Sequence, residues 1–165
     1  MQFFGQFAEP LDPRRRVSLP DAIADAIGET ALRRGLVVTR GFDHCLYLFT
    51  AIGWESVGAR FASVFLKGLE ARMLERLFLG SAVDLPLGAR RRFTLPPELC
   101  EQAGLTDQAL FLGAAARIEI WNPQRWNALK HPALERYEEL GEAFGRLVRN
   151  RTRSSRLTHP DTGRA

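Results

Sequence analysis

Arg16-Val17-Ser18-Leu19-Pro20 and Arg92-Phe93-Thr94-Leu95-Pro96 are two copies of one pattern: an arginine, an apolar-hydroxyl-apolar triplet and a proline. Each copy follows two further arginines, Arg14 and Arg15 in the first, Arg90 and Arg91 in the second. The agreement resumes downstream, where Gly41 aligns with Gly113 and the stretch Leu46 to Trp54 aligns without a gap with Ile118 to Trp126. Self-similarity of this kind marks a duplicated structural unit. Because the repeated element is a cationic loop, the chain is expected to make one kind of contact twice, with an anionic partner.

Working outward, Phe3 to Ala8 and Val17 to Leu19 read as short strands around the loop Glu9 to Arg16, whose Pro10, Asp12 and Pro13 form turns. Pro20 suits the first turn of a helix, where its missing N–H has no partner to lose, and Ala22, Ile23, Ala26 and Ile27 give that helix an apolar stripe until Gly28. Leu36 to Thr39 and Cys45 to Phe49 read as strands joined by a turn at Arg40 to His44. A longer helix is expected from Ile52 to Arg76, with Val57, Phe61, Val64, Phe65, Leu69, Met73 and Leu74 on one face. The second copy repeats this order: strand Leu77 to Val83, loop Asp84 to Arg91, strand Arg92 to Leu95, and helix Pro96 to Ala103 ended by Gly104. The hairpin Ala109 to Leu112 and Arg117 to Trp121 turns at Gly113 to Ala116, and Trp126 opens the last helical stretch, which reaches Leu147 or Val148. The expected division is therefore residues 1–76, residues 77–148 and a tail at 149–165. That tail holds five arginines, one acid and almost no large apolar residue, so it is expected to stay disordered.

A chain of 165 residues with 45% apolar side chains can bury a core, as one domain or two very small ones. Its formal charge is +4, and Lys67 and Lys130 are the only lysines among 23 basic residues. Arginine offers a planar fork of donors suited to phosphates and guanine edges, although a GC-rich genome also replaces lysine with arginine wholesale. The clustering of the arginines is the signal, and their number is not. Cys45 and Cys100 have no second thiol nearby, and His44, His131 and His159 share no ligand spacing, so neither a disulfide framework nor a metal site is expected. Met1 to Gly5 lacks the regions of a signal peptide, and no apolar run approaches the ~20 residues of a membrane span. The chain reads as cytoplasmic, without membrane contact.

The segment Leu11 to Pro20 is the first chemical candidate. Three successive guanidiniums at a loop tip diverge and cannot all pair with Asp12, so the excess charge must face solvent or a ligand. The plain structural reading is a turn fixed by Asp12 and Arg16 with Arg14 and Arg15 solvated. Repetition favours a contact surface, in which the arginines reach phosphates or base edges. Trp54 and Trp126 open helices and read as packing residues. Cys45 beside His44 is a poor nucleophile and base, because neighbours on a strand point to opposite faces.

The pattern Asp-x-x-x-Arg followed by an apolar-Ser-apolar-Pro strand and helix, repeated once, resembles the MraZ family of bacterial transcriptional regulators. The likeness runs from Phe4-Gly5 to Trp126 and includes Gly80 and the segment Arg92 to Leu105 with its Pro-Pro-Glu-Leu and Ala-Gly-Leu. It implies an α+β fold of two tandem swapped-hairpin units like those of the AbrB and SpoVT regulators, forming a pseudo-dimeric small β-barrel with flanking helices. It also implies closed rings that bind short direct repeats in double-stranded DNA, upstream of an operon for cell division and cell-wall synthesis that includes the regulator's own gene, and so a place at the nucleoid. On this likeness Asp12 and Arg16 are the acid and base of the first motif. The second departs from it, with Gly88 at the acid position and Arg92 at the base, and Asp84 stands four residues earlier.

The candidate DNA-binding residues are thus Asp12, Arg14, Arg15 and Arg16, supported by Arg90, Arg91 and Arg92. No catalytic residue, metal, cofactor or small-molecule substrate is expected, and the chain does not read as an enzyme. The alternative is an oligomeric interaction protein, antitoxin-like or a scaffold ring, whose basic loops meet an acidic protein or bind DNA without regard to sequence.

Overall fold

Two apolar hairpins carry the sheet. In the computed structural model, which describes residues 2–63 and 68–157 (151–157 by backbone alone), strands β3 (Leu36–Arg40) and β4 (Leu46–Thr50) form one hairpin. Strands β7 (Gln108–Ala114) and β8 (Arg117–Trp121) form the other, and β4 pairs with β8 at the centre. Strand β1 (Gln6–Pro10) of the first half pairs with β7 of the second, while β5 (Val83–Leu85) of the second half pairs with β3 of the first. The order is therefore β1-β7-β8-β4-β3-β5, antiparallel throughout. Strands β2 (Arg16–Ser18) and β6 (Arg92–Thr94) make a separate ladder, with Val17 opposite Phe93.

The α+β class stands, but the sheet is not closed into the small barrel the resemblance implied. Its edges are β1 and β5, and β5 is three residues long and bounded by Pro86, which has no N–H to extend a ladder.

Alternation along the central strands explains the layers. Leu36, Val38, Leu46, Leu48, Ile118 and Ile120 point into a core shared with Val17, Leu19, Phe93, Leu95 and Phe111. Helices α1 (Asp21–Ile27), α2 (Glu29–Arg33) and α5 (Pro97–Ala103) contribute Ile23, Ile27, Leu32 and Leu99 to the same core. Gly104 ends α5 in the left-handed conformation (φ 65°) that its lack of Cβ permits. On the other sheet face, Tyr47 and Phe49 meet α3 (Ala51–Ser63) and α4 (Leu69–Gly80), where Trp54 and Phe61 both stack on Phe78, with ring centroids 5.8 and 5.6 Å away. Trp54 is thus a packing residue, as expected.

Three boundaries differ from the sequence reading. The expected helix from Ile52 to Arg76 is two helices; Val64 and Phe65 lie outside the described residues. Leu77 to Gly80, read as strand, is the last turn of α4, because a short apolar run fits either period. Helix α2 was not anticipated.

The chain divides into two compact units, residues 1–125 and 126–165. Helix α6 (Pro123–Glu135) begins in the first of these units and carries Pro132, and α7 (Tyr137–Leu157) lies in the second. Residues 149–157, expected to be disordered, are helical; arginine is a good helix former and favours a C-terminal turn. Residues 158–165 lie outside the described residues. Along α7, Tyr137, Leu140, Phe144 and Leu147 keep helical spacing and are exposed.

Candidate nucleic-acid interface

The β2–β6 ladder sets the two arginine loops beside one another. Arg16 lies opposite Thr94 and Ser18 opposite Arg92, so the loops enter the ladder from opposite ends of a three-residue register. Each loop closes in the same way, with the Asp12 N–H donating to the Arg16 carbonyl at 3.1 Å and the Gly88 N–H to the Arg92 carbonyl at 2.7 Å. The loops also bond across the ladder, Leu19 N–H to Arg91 carbonyl at 3.0 Å and Leu95 N–H to Arg15 carbonyl at 2.9 Å.

Asp12 organises the first loop. Its Oδ1 accepts the backbone N–H groups of Arg14 and Arg16, each at 2.9 Å, and its Oδ2 accepts Arg16 Nε at 2.7 Å. The same Oδ2 accepts Arg92 Nη2 at 3.3 Å, so one carboxylate meets a guanidinium from each copy. The Arg16 N–H, and after it the Arg16 guanidinium and the Arg14 N–H, hold the Asp12 carboxyl below its usual pKa. Asp84 lines the neighbouring cavity, but the carboxylate that Arg92 meets among the described residues is that of Asp12.

The predicted arginines divide into three groups. Arg14, Arg16 and Arg90 are exposed. Arg14 and Arg90 make no ion pair among the described residues. Arg15 and Arg92 are half-buried, and the Nε of each is buried without a hydrogen-bond partner among the described residues. Arg91 turns across the surface to three acids of α1 and α2, at 3.3 Å from Asp21, 3.4 Å from Asp25 and 3.2 Å from Glu29. The hydrogen bond to Glu29 is the main cause of the raised Arg91 pKa. Arg91 therefore ties its loop to the helices, while Arg14, Arg16 and Arg90 present charge outward. The backbone follows the side chains: Arg15 has φ 60° in the first loop, whereas Arg90 and Arg91 have φ 57° and 55° in the second, which lacks the Asp12-like anchor.

Reading residues one at a time misses these pairings, because Asp12 and Arg92 are remote in sequence and only the ladder brings them together. It also misses a cluster on the far sheet face. There Glu119, 8% exposed, accepts Arg117 Nη2 at 2.6 Å and Trp121 Nε1 at 3.0 Å, and the Arg117 guanidinium lies 4.5 Å from the centre of the Tyr47 ring. The alternation Arg-x-Glu-x-Trp along β8 was the available signal. Both thiols are buried, Cys45 within electrostatic reach of Arg117 and Glu119 and Cys100 within reach of Arg15. Burial pushes Cys45 up to about 12 and Cys100 up to about 11, which leaves both protonated and unreactive at neutral pH. Among the described residues no group of three or more His, Cys, Asp and Glu is arranged to hold a metal ion, and no helix is long and apolar enough to cross a membrane.

The fold and these loops define an α+β protein built on an internal repeat with arginine-tipped loops. A family described as "MraZ protein, putative antitoxin-like" matches residues 78–146. Proteins named "Transcriptional regulator MraZ" match across both halves. The one from Roseiflexus castenholzii is 36% identical over 124 residues, 75% of this chain and 83% of the relative. Those from Limosilactobacillus fermentum (30% over 145 residues, 88% and 98%) and Heliobacterium modesticaldum (29% over 140 residues, 85% and 94%) align over more of the chain. This chain belongs to the MraZ family.

Proposed function

We propose that this chain is a sequence-specific DNA-binding transcriptional regulator. It recognises short direct repeats in the promoter of a division and cell-wall gene cluster, its own gene included. The observation that carries this reading is the pairing of two arginine loops on one ladder, with Arg14, Arg16 and Arg90 exposed and with Arg16 and Arg92 oriented by one carboxylate. An oriented guanidinium fork can grip guanine O6 and N7 together, which is worth about 1–3 kcal/mol of discrimination against the wrong base. Unpaired arginines beside it suit phosphates, which fix register without reading sequence. The names of the relatives agree with a regulatory role.

In this account residues 1–76 and 77–148 are two tandem units packed as a swapped-hairpin pseudo-dimer. Supporting this, Leu46 pairs with Ile120 and Leu48 with Ile118, although the repeat equates Leu46 with Ile118 and Leu48 with Ile120. Reciprocal pairing of that kind is what a two-fold axis produces. Several copies then assemble as a ring, and the exposed Tyr137, Leu140, Phe144 and Leu147 supply apolar surface for such contacts. Multiplicity on adjacent repeats raises affinity by about 10² to 10⁴ without a new type of contact. Replacing Arg14 and Arg15 by alanine tests the reading. Binding to the DNA upstream of the gene is lost while the melting temperature is unchanged; unaltered affinity would remove these loops from the interface.

A further inference from the structure

The repeat equates Asp12 with Gly88 and Arg16 with Arg92, so the second loop has the arginine without the acid. In the first loop Arg16 Nε donates to Asp12 at 2.7 Å. Its counterpart, Arg92 Nε, is buried and has no hydrogen-bond partner among the described residues, and the same holds for Arg15 Nε. A charged donor without an acceptor is costly, and these two lie in one neighbourhood. Both arginines line a cavity of about 560 Å³ at the β2–β6 ladder, within the range of about 300–1,000 Å³ usual for small-ligand sites. Arg16 and Gly88 also line it, and among the described residues Asp84 is the one carboxylate on its wall. Three guanidiniums against Asp84 on the wall and Asp12, which pairs with both Arg16 and Arg92 from outside the lining, still leave the cavity net cationic.

We propose that this cavity is a phosphate-binding site with Arg15 and Arg92 as its principal ligands. A phosphate oxygen takes Arg92 Nε, the role the Asp12 carboxylate plays for Arg16. The 3.3 Å contact from Arg92 Nη2 to Asp12 is long enough to leave the fork room to pivot towards the cavity. A tetrahedral oxyanion offers acceptors in several directions, which suits two forks arriving from two loops. The phosphate comes either from a DNA backbone or from a free phosphorylated small molecule. The site rests on its own geometry, and only the DNA source rests on the regulator reading.

The test uses the full chain and inorganic phosphate. Nitrogen-15 spectra of the arginine Nε–H groups, titrated with phosphate against chloride at equal ionic strength, show saturable shifts at Arg15 and Arg92. The variant Gly88→Asp supplies the missing carboxylate from within and weakens phosphate binding at least tenfold. This substitution is compatible with the loop, because Gly88 has φ −88° and an added Cβ comes no closer than 3.4 Å to the Arg92 carbonyl oxygen. A second variant, Arg15→Ala, weakens phosphate binding similarly. Non-saturable shifts, or a Gly88→Asp protein that binds phosphate as tightly as its parent, overturn the proposal. Mobility shifts at several salt concentrations then separate the sources. If Gly88→Asp also lowers DNA affinity and reduces the salt slope by about one contact, the DNA backbone is the ligand. If DNA binding is untouched while phosphate binding is lost, the ligand is a free anion. Saturable phosphate binding in a chain that binds no DNA sustains the site and removes the regulator reading.

Discussion

Arg92 Nη2 lies 3.3 Å from Asp12 Oδ2, joining residues 80 positions apart. The acid missing from the second motif is thus supplied in part by the first. Because Asp12 also holds Arg16 at 2.7 Å, the two loops share one orienting group. Asp12→Ala is expected to lower affinity for specific DNA more than Arg92→Ala, and the two losses are not multiplicative. A double-mutant cycle read by fluorescence anisotropy checks this; independent losses would mean that Asp12 acts on the first loop alone.

The same carboxylate makes a pH prediction. Asp12 is held below its ordinary value near 3.8, first of all by the Arg16 N–H. A depressed folded-state pKa contributes stability that is present above the unfolded value and is lost as pH falls through the folded one. Acid titration of the melting temperature should therefore show Asp12→Asn less sensitive than its parent below about pH 4. Parallel curves would deny Asp12 this role.

The buried thiols behave in the opposite sense. Their raised pKa values, about 12 for Cys45 and about 11 for Cys100, contribute stability that is complete below the unfolded thiol value, about 8.5, and is lost as pH rises towards the folded values. Native protein is expected to resist a disulfide reagent at pH 8 and to react with both thiols once unfolded. Fast labelling of the folded chain would show that one of the segments opens readily.

On the far sheet face, Glu119→Ala leaves the Arg117 guanidinium and the Trp121 indole N–H without their shared acceptor. The expected cost is about 2–3 kcal/mol, measured by urea unfolding, with the fold retained. Gly113→Ala is also destabilising, since an added Cβ collides with the backbone of Phe3 and Phe4 where β1 leads in beside β7. A stable Gly113→Ala protein would mean that this approach is looser than described.

The hairpins at Leu36 to Phe49 and Ala109 to Trp121 were legible because apolar runs bounded by turn residues define strands locally. The repeat was legible because the same letters recur. Which strand pairs with which was not, since alternation along β1 is the same whether its partner is β3 or β7. The end of α4 was misread for a related reason: Leu77 to Gly80 is apolar and short, and only packing on β3, where Thr39 Oγ1 donates to the Phe78 carbonyl, decides its period. At the candidate site the arginines were visible as a cluster, but their directions were not. Arg91 and Arg90 are adjacent and look equivalent in sequence, yet one is bound by Asp21, Asp25 and Glu29 and the other is exposed. That difference depends on α1, α2 and the β2–β6 ladder, which local pattern does not place.

The central claim, that these loops read DNA sequence, is tested most directly by competition. Purified protein is titrated onto the DNA immediately upstream of its own gene, at two salt concentrations, with random DNA of equal length as competitor. A shifted complex that survives the competitor at both salts and disappears on replacing Arg14 and Arg15 by alanine is expected. Equal competition by random DNA would contradict it and leave a basic protein that binds polyanions without reading them.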